Sequence, residues 1–128
     1  MKTYTTTISN AEEISYSKTS KTKNNINIVM LHGNFSSSRN MEPIMHELIN
    51  KAFIIAPTMR GFGKSSYKRP IKSYKDLAED IYMFMSETYP EIKNYYIFGH
   101  NIGGNVAVEL AKLHPESVKG LVLLALSA

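Results

Sequence analysis

The 128-residue chain contains no cysteine. Disulfides, thiolate metal sites and a cysteine nucleophile are excluded by that alone. Dense charge of one sign is also missing. Fifteen Lys and Arg stand against 11 Asp and Glu for a net +4, and the tightest basic group is Lys18, Lys21 and Lys23 in a polar loop. That group is too diffuse for a nucleic-acid footprint and reads as solvated surface. Long apolar runs are lacking too: "MKTYTTTISN" at the amino end has no apolar centre of a signal peptide, and "LVLLALSA" at the other end is far too short to span a bilayer. Neither a nucleic-acid partner nor a membrane is expected, and a cytoplasmic, soluble protein is the default expectation.

The residues present, 43% apolar and 20% charged, have the balance of one small globular domain covering 1–128. Residues 4–8 and 13–17 read as short strands joined by the turn "SNAE", and 26–31, "INIVML", as a strand buried on both faces. After "HGNFSSSRN" the pattern predicts a helix to about Asn50, with Met41, Met45 and Leu48 on one side and Pro43 in its first turn. "AFIIA" (52–56) is the next buried strand. Ser73 and Asp76 suggest a capping box opening a helix to about Tyr89, with Leu77, Ile81 and Phe84 as its inward stripe. A strand at 95–98, a helix from Gly103 to His114 and a last strand at 120–126 complete the chain. Strands alternating with such helices predict an α/β fold: a mostly parallel sheet with helices on both faces.

Open α/β sheets place their chemistry at the carboxyl ends of strands. Three loops occupy that position here: His32-Gly33-Asn34-Phe35, "PTMRGFGKSSY" after 52–56, and the bend inside "YIFGHNIGGNVAVELA". In the bend, Gly99, Gly103 and Gly104 form G-x-N-x-G-G between a strand and a helix. Small residues there let the chain turn tightly and hold Asn101 outward in strained geometry, with the next amide at a helix amino terminus.

With these three motifs in collinear order, the chain resembles the amino-terminal half of the α/β-hydrolase family over nearly its whole length. The resemblance implies a truncated α/β-hydrolase fold of about six of eight strands. In that family the bend carries serine, or aspartate in haloalkane dehalogenases and epoxide hydrolases, as nucleophile. Carried over, Asn101 occupies the nucleophile position, and the backbone amides of Ile102 and Asn34 form the oxyanion hole. No metal or other cofactor is implied.

Asn101 departs from the pattern. Serine gives its proton to a histidine and aspartate acts as an anion, whereas a carboxamide does neither. The family's acid and histidine fall beyond Ala128, and His32, His46, His100 and His114 do not match the catalytic histidine position. Asparagine also tolerates positive φ, so it would relieve strain that serine would store. Loss of catalysis is weighed above a new catalytic role, with a ligand-orienting amide left open.

Other near-matches are weaker. "GFGKSS" lacks the first glycine of a phosphate-binding loop, because Thr58 stands there. "HELIN" ends in Asn50 rather than a second histidine, so His46 and Glu47 read as a helix's solvent face, and "GHNIGG" does not fit a dinucleotide fingerprint. His32 is expected to bond within its loop, His114 to sit at the negative end of a helix dipole, and Arg60 to brace the loop at 57–67. The expected function is thus a hydrolase relative inactive as this chain alone. Two alternatives stand beside it: one half of a two-chain ester-type hydrolase, or a non-catalytic binding module. The apolar last strand would lie at a sheet edge, so self-association through 120–126, or a complementary chain, is expected.

Overall fold

The computed structural model describes residues 1–33 and 37–124. Strands β1 (Thr3–Thr7), β2 (Glu13–Lys18), β3 (Asn27–Leu31), β4 (Phe53–Pro57), β5 (Tyr95–His100) and β6 (Val118–Leu124) form one sheet in the order β1-β2-β4-β3-β5-β6. β1 and β2 form an antiparallel hairpin, and β2 pairs antiparallel with β4. From β4 to β6 every pairing is parallel. The predicted mostly parallel α/β sheet is therefore the observed one.

Alternation along the strands sorts the core into two layers. Val29, Leu31, Phe53, Ile55 and Ile97 face α2 (Tyr74–Thr88) and α3 (Ile102–Leu113), where Leu77, Ile81, Phe84, Val106 and Leu110 complete the larger cluster. Met30, Ile54 and Ala56 face the opposite way, against Met41 and Met45. Helices thus cover both faces, and the stripe of Leu77, Ile81 and Phe84 is inward as expected.

Three local expectations need correction. The helix predicted to reach Asn50 is shorter: a 3-10 turn at Ser38–Met41 leads into α1 (Glu42–Glu47). After α1 the chain tightens, Leu48 N–H donating to Met45 O and Lys51 N–H to Leu48 O, so that it can re-enter the sheet at Phe53. The capping box is not formed. Ser73 is the N-cap of α2 without a side-chain bond, and the Asp76 carboxylate accepts from Lys72 N–H instead, at 2.8 Å. The last strand begins at Val118, two residues before the expected start, while its expected end at 125–126 lies outside the described residues.

β6 is an edge strand, paired on one side by β5. In its register, Phe98 lies opposite Val122 and His100 opposite Leu124, on the face of the sheet that α1 covers farther along. Val122 is 51% and Leu124 46% exposed.

Candidate functional site

The bend after β5 is fixed by steric contact. A Cβ on Gly99 would lie 2.6 Å from both Gly103 O and Gly104 Cα, and one on Gly103 would fall onto the carbonyl oxygens of Leu31 and His32. Only a hydrogen at each position lets α3 start this close to β3 and β5. Gly104 takes part through its backbone, being what Gly99 packs against. Asn101 is left at the tip with φ 57° and ψ −124°. The positive φ is the expected one. The ψ, however, lies far from the left-handed region in which asparagine is comfortable, so the residue does not relieve the bend as its type suggested.

Asn101 is the N-cap of α3 but makes no side-chain capping bond. Its N–H donates to Leu124 O at 2.9 Å, and its carbonyl accepts from Gly104 N–H at 2.8 Å. Ile102 is the first residue of α3, where a backbone N–H has no carbonyl within its own helix. Asn34, expected to supply the second amide of an oxyanion hole, lies outside the described residues. Gly33, just before it, stands against the bend: a Cβ there would meet His100 Nδ1 at 2.8 Å and Asn101 Cβ at 3.1 Å.

His32 ties the first loop to the second. Fully buried, its Nδ1 bonds Gly33 O at 2.8 Å while Nε2 accepts from Met59 N–H at 2.9 Å, which fixes the neutral tautomer with the proton on Nδ1. Burial pushes its pKa below the ordinary 6.5, against the opposing bond to Gly33. Both nitrogens are occupied. His114, at the carboxyl end of α3, bonds Glu79 at 2.7 Å and stacks on Tyr82. With the twelve residues of α3 between them, it lies about 20 Å from Asn101. His46 and Glu47 are exposed on α1, as the sequence suggested.

The loop after β4 is held by charge. Buried Arg60 forms a bidentate pair with Asp80 of α2, both bonds 2.8 Å, and donates to the carbonyls of Arg69 and Pro70. Glu12, fully buried beside it, accepts from Ser66 Oγ and from the N–H groups of Lys68 and Arg69. Desolvation raises the Glu12 pKa, but these bonds and the Arg60 charge outweigh it and hold the carboxyl below its ordinary 4.5. Arg60 therefore braces the chain from 57 to about 70. The sequence reading missed Glu12 and Asp80. Asp80 left a signal: it lies three residues after Leu77 on the inward stripe, where a carboxylate needs a buried partner. Glu12 had none beyond its place in a turn.

A groove of about 420 Å3 lined by Lys21, Glu91, Lys93, Tyr96 and Lys119, among others, sits at the amino ends of the strands, opposite the bend.

The order of strands, the glycine-built bend and the two flanking loops can now be set beside known proteins. Residues 26–127 match the model of the alpha/beta hydrolase fold. The chain belongs to this family. It is 32% identical over 100 residues to 2-hydroxymuconate semialdehyde hydrolase of Pseudomonas sp. (strain CF600), an alignment covering 76% of this chain and 35% of that protein. It is 30% identical over 99 residues to esterase YbfF of Escherichia coli (strain K12), covering 77% and 38%. Among solved structures, a bacterial membrane phospholipase A superposes with a TM-score of 0.89 at 23% identity, over 99% of this chain and 40% of that one. Cfl2 of Burkholderia cenocepacia superposes with 0.85 at 26%, over 98% and 41%. The chain thus spans well under half the length of these family members. Among the described residues, no helix is long and apolar enough to cross a membrane.

Proposed function

We propose that this chain is an α/β-hydrolase relative that does not hydrolyse esters by itself. The observation that carries the reading is Asn101 at the tip of the bend, the position that presents the nucleophile in the family. Its carboxamide has no proton to give up at neutral pH and no anion to attack with. The surroundings support the same reading. Both nitrogens of His32 are engaged, and the described histidine bonded to carboxylates is His114, at the far end of α3. A catalytic base needs both reach and an orienting acid, and these histidines do not combine them at Asn101. A cytoplasmic setting accords with this reading. The test is turnover of activated short-chain esters by the purified chain, which should stay at the rate of a denatured control. Saturable turnover that disappears in Asn101→Ala would overturn the proposal.

A second reading has its own observation, the apolar edge at β6. Val122 and Leu124 are exposed on one face and Leu121 on the other, and the strand's outer edge has no described partner strand. Such an edge is a template for another strand. It favours self-association through 120–126 or a complementary chain, which would also fit one half of a two-chain hydrolase. Light scattering should find the chain self-associated or dependent on added partner, with Leu124→Lys weakening the assembly. A well-folded monomer at high concentration, unchanged by Leu124→Lys, would remove this reading.

A further inference from the structure

We propose that Asn101 is a self-modification site, at which the side chain cyclises onto the next backbone nitrogen and opens to aspartate and isoaspartate. The inference rests on the shape of the bend and holds whether or not any ester is hydrolysed. Around the Cα–C bond of an L-residue, the backbone nitrogen and Cβ stand about 120° apart, so Cβ eclipses the following nitrogen when ψ is about −120°. Asn101 has ψ −124°. The five-membered imide ring needs that eclipsed arrangement, and here the backbone already supplies it. Rotation about Cα–Cβ is then enough to bring Cγ over the Ile102 nitrogen. Asparagines in regular structure, such as Asn105 within α3 or Asn27 in β3, have no such alignment.

The attacking nitrogen is suited as well. Ile102 N–H opens α3, so its proton is not committed to an intrahelical bond. The positive end of the helix dipole lies there and favours loss of that proton. Once acylated, the nitrogen carries no hydrogen, and the first helical position is the one that tolerates this, as it tolerates proline.

The step balances with water as the co-reactant. Ile102 N loses its proton to solvent and bonds to Asn101 Cγ; the Cγ–Nδ2 bond breaks, and Nδ2 leaves with a proton as ammonia. Water then adds to one of the two ring carbonyls and returns a hydrogen to the nitrogen. Opening at Cγ gives aspartate, and opening at the backbone carbonyl gives isoaspartate. The net change is one water consumed and one ammonia released. It places a carboxylate where the encoded carboxamide cannot attack.

The experiment is peptide mass spectrometry of the folded chain aged in mildly alkaline water enriched in heavy oxygen. Asn105 serves as the internal standard, and a urea-unfolded sample runs in parallel. Asn101 should lose ammonia at least about tenfold faster than Asn105 and than itself in urea, the factor that pre-setting one backbone rotor supplies. The rate should rise with pH, with one heavy oxygen incorporated per event and both isomers formed. Asn101→Gln, which needs a larger ring, should stay unmodified over the same time. A folded-state rate equal to or below the unfolded one would overturn the proposal. So would aspartate formed without isoaspartate, which would mean direct hydrolysis.

Discussion

The bend after β5 and the loop after β4 leave the same end of the sheet but are fixed by different forces. Gly99 and Gly103 hold the bend by leaving no room for a Cβ, and Asn101 at its tip makes no side-chain cap. The loop after β4 is held by buried charge: Arg60 on Asp80 and on two carbonyls, with Glu12 gathering the Ser66, Lys68 and Arg69 donors. A site fixed by shape keeps its form when its functional side chain changes, because that side chain is not part of what fixes it. This is how the bend keeps its shape with asparagine at its tip. A loop fixed by charge has no such independence, since each member of the network leaves another one buried and unpaired when it is removed.

The largest effect expected from this contrast is at Gly103. Valine there must displace two backbone carbonyls, at a cost of about 4 kcal/mol or more, whereas Asn101→Ala should cost about 1 kcal/mol or less. Denaturant melts of the two variants measure the difference, and the reverse order would contradict a bend held by shape. Next comes Arg60→Met, which strands Glu12 and Asp80 and should cost about 3 kcal/mol, chiefly by releasing the 57–70 segment to proteolysis. His32, which holds Met59 N–H at the start of this loop, and Glu12 together give the loop a pH dependence in two steps. His32 is neutral when folded, with its pKa pushed below 6.5, so the unfolded chain takes up the proton first and stability falls as pH drops below 6.5. Glu12, held below 4.5, adds a second loss as pH falls through its folded value. Melting midpoints that fall with acid in the parent but lack the first step in His32→Gln would match this assignment.

The sheet, the two-sided helix cover and the bend were legible in the sequence because they rest on patterns that repeat along the chain. β-branched runs, the Leu77, Ile81 and Phe84 stripe and the glycines at 99, 103 and 104 each carry a local signal. What was not legible depends on distant partners or on exact torsions. The pairing of Glu12 and Asp80 with Arg60 joins residues tens of positions apart. The ψ of Asn101 is imposed by packing of Gly103 against Leu31 and His32, not by asparagine itself. The six-residue α1 ends early because the chain must re-enter the sheet at Phe53, a demand that its own periodicity does not contain.

We propose that the bend is kept while the means of attack is not. It is tested most directly by Asn101→Ser exposed to a fluorophosphonate probe. A folded variant that stays unlabelled is expected, because a hydroxyl at position 101 without an oriented base remains protonated. Rapid labelling at residue 101 would contradict it, by revealing a base that activates the position after all.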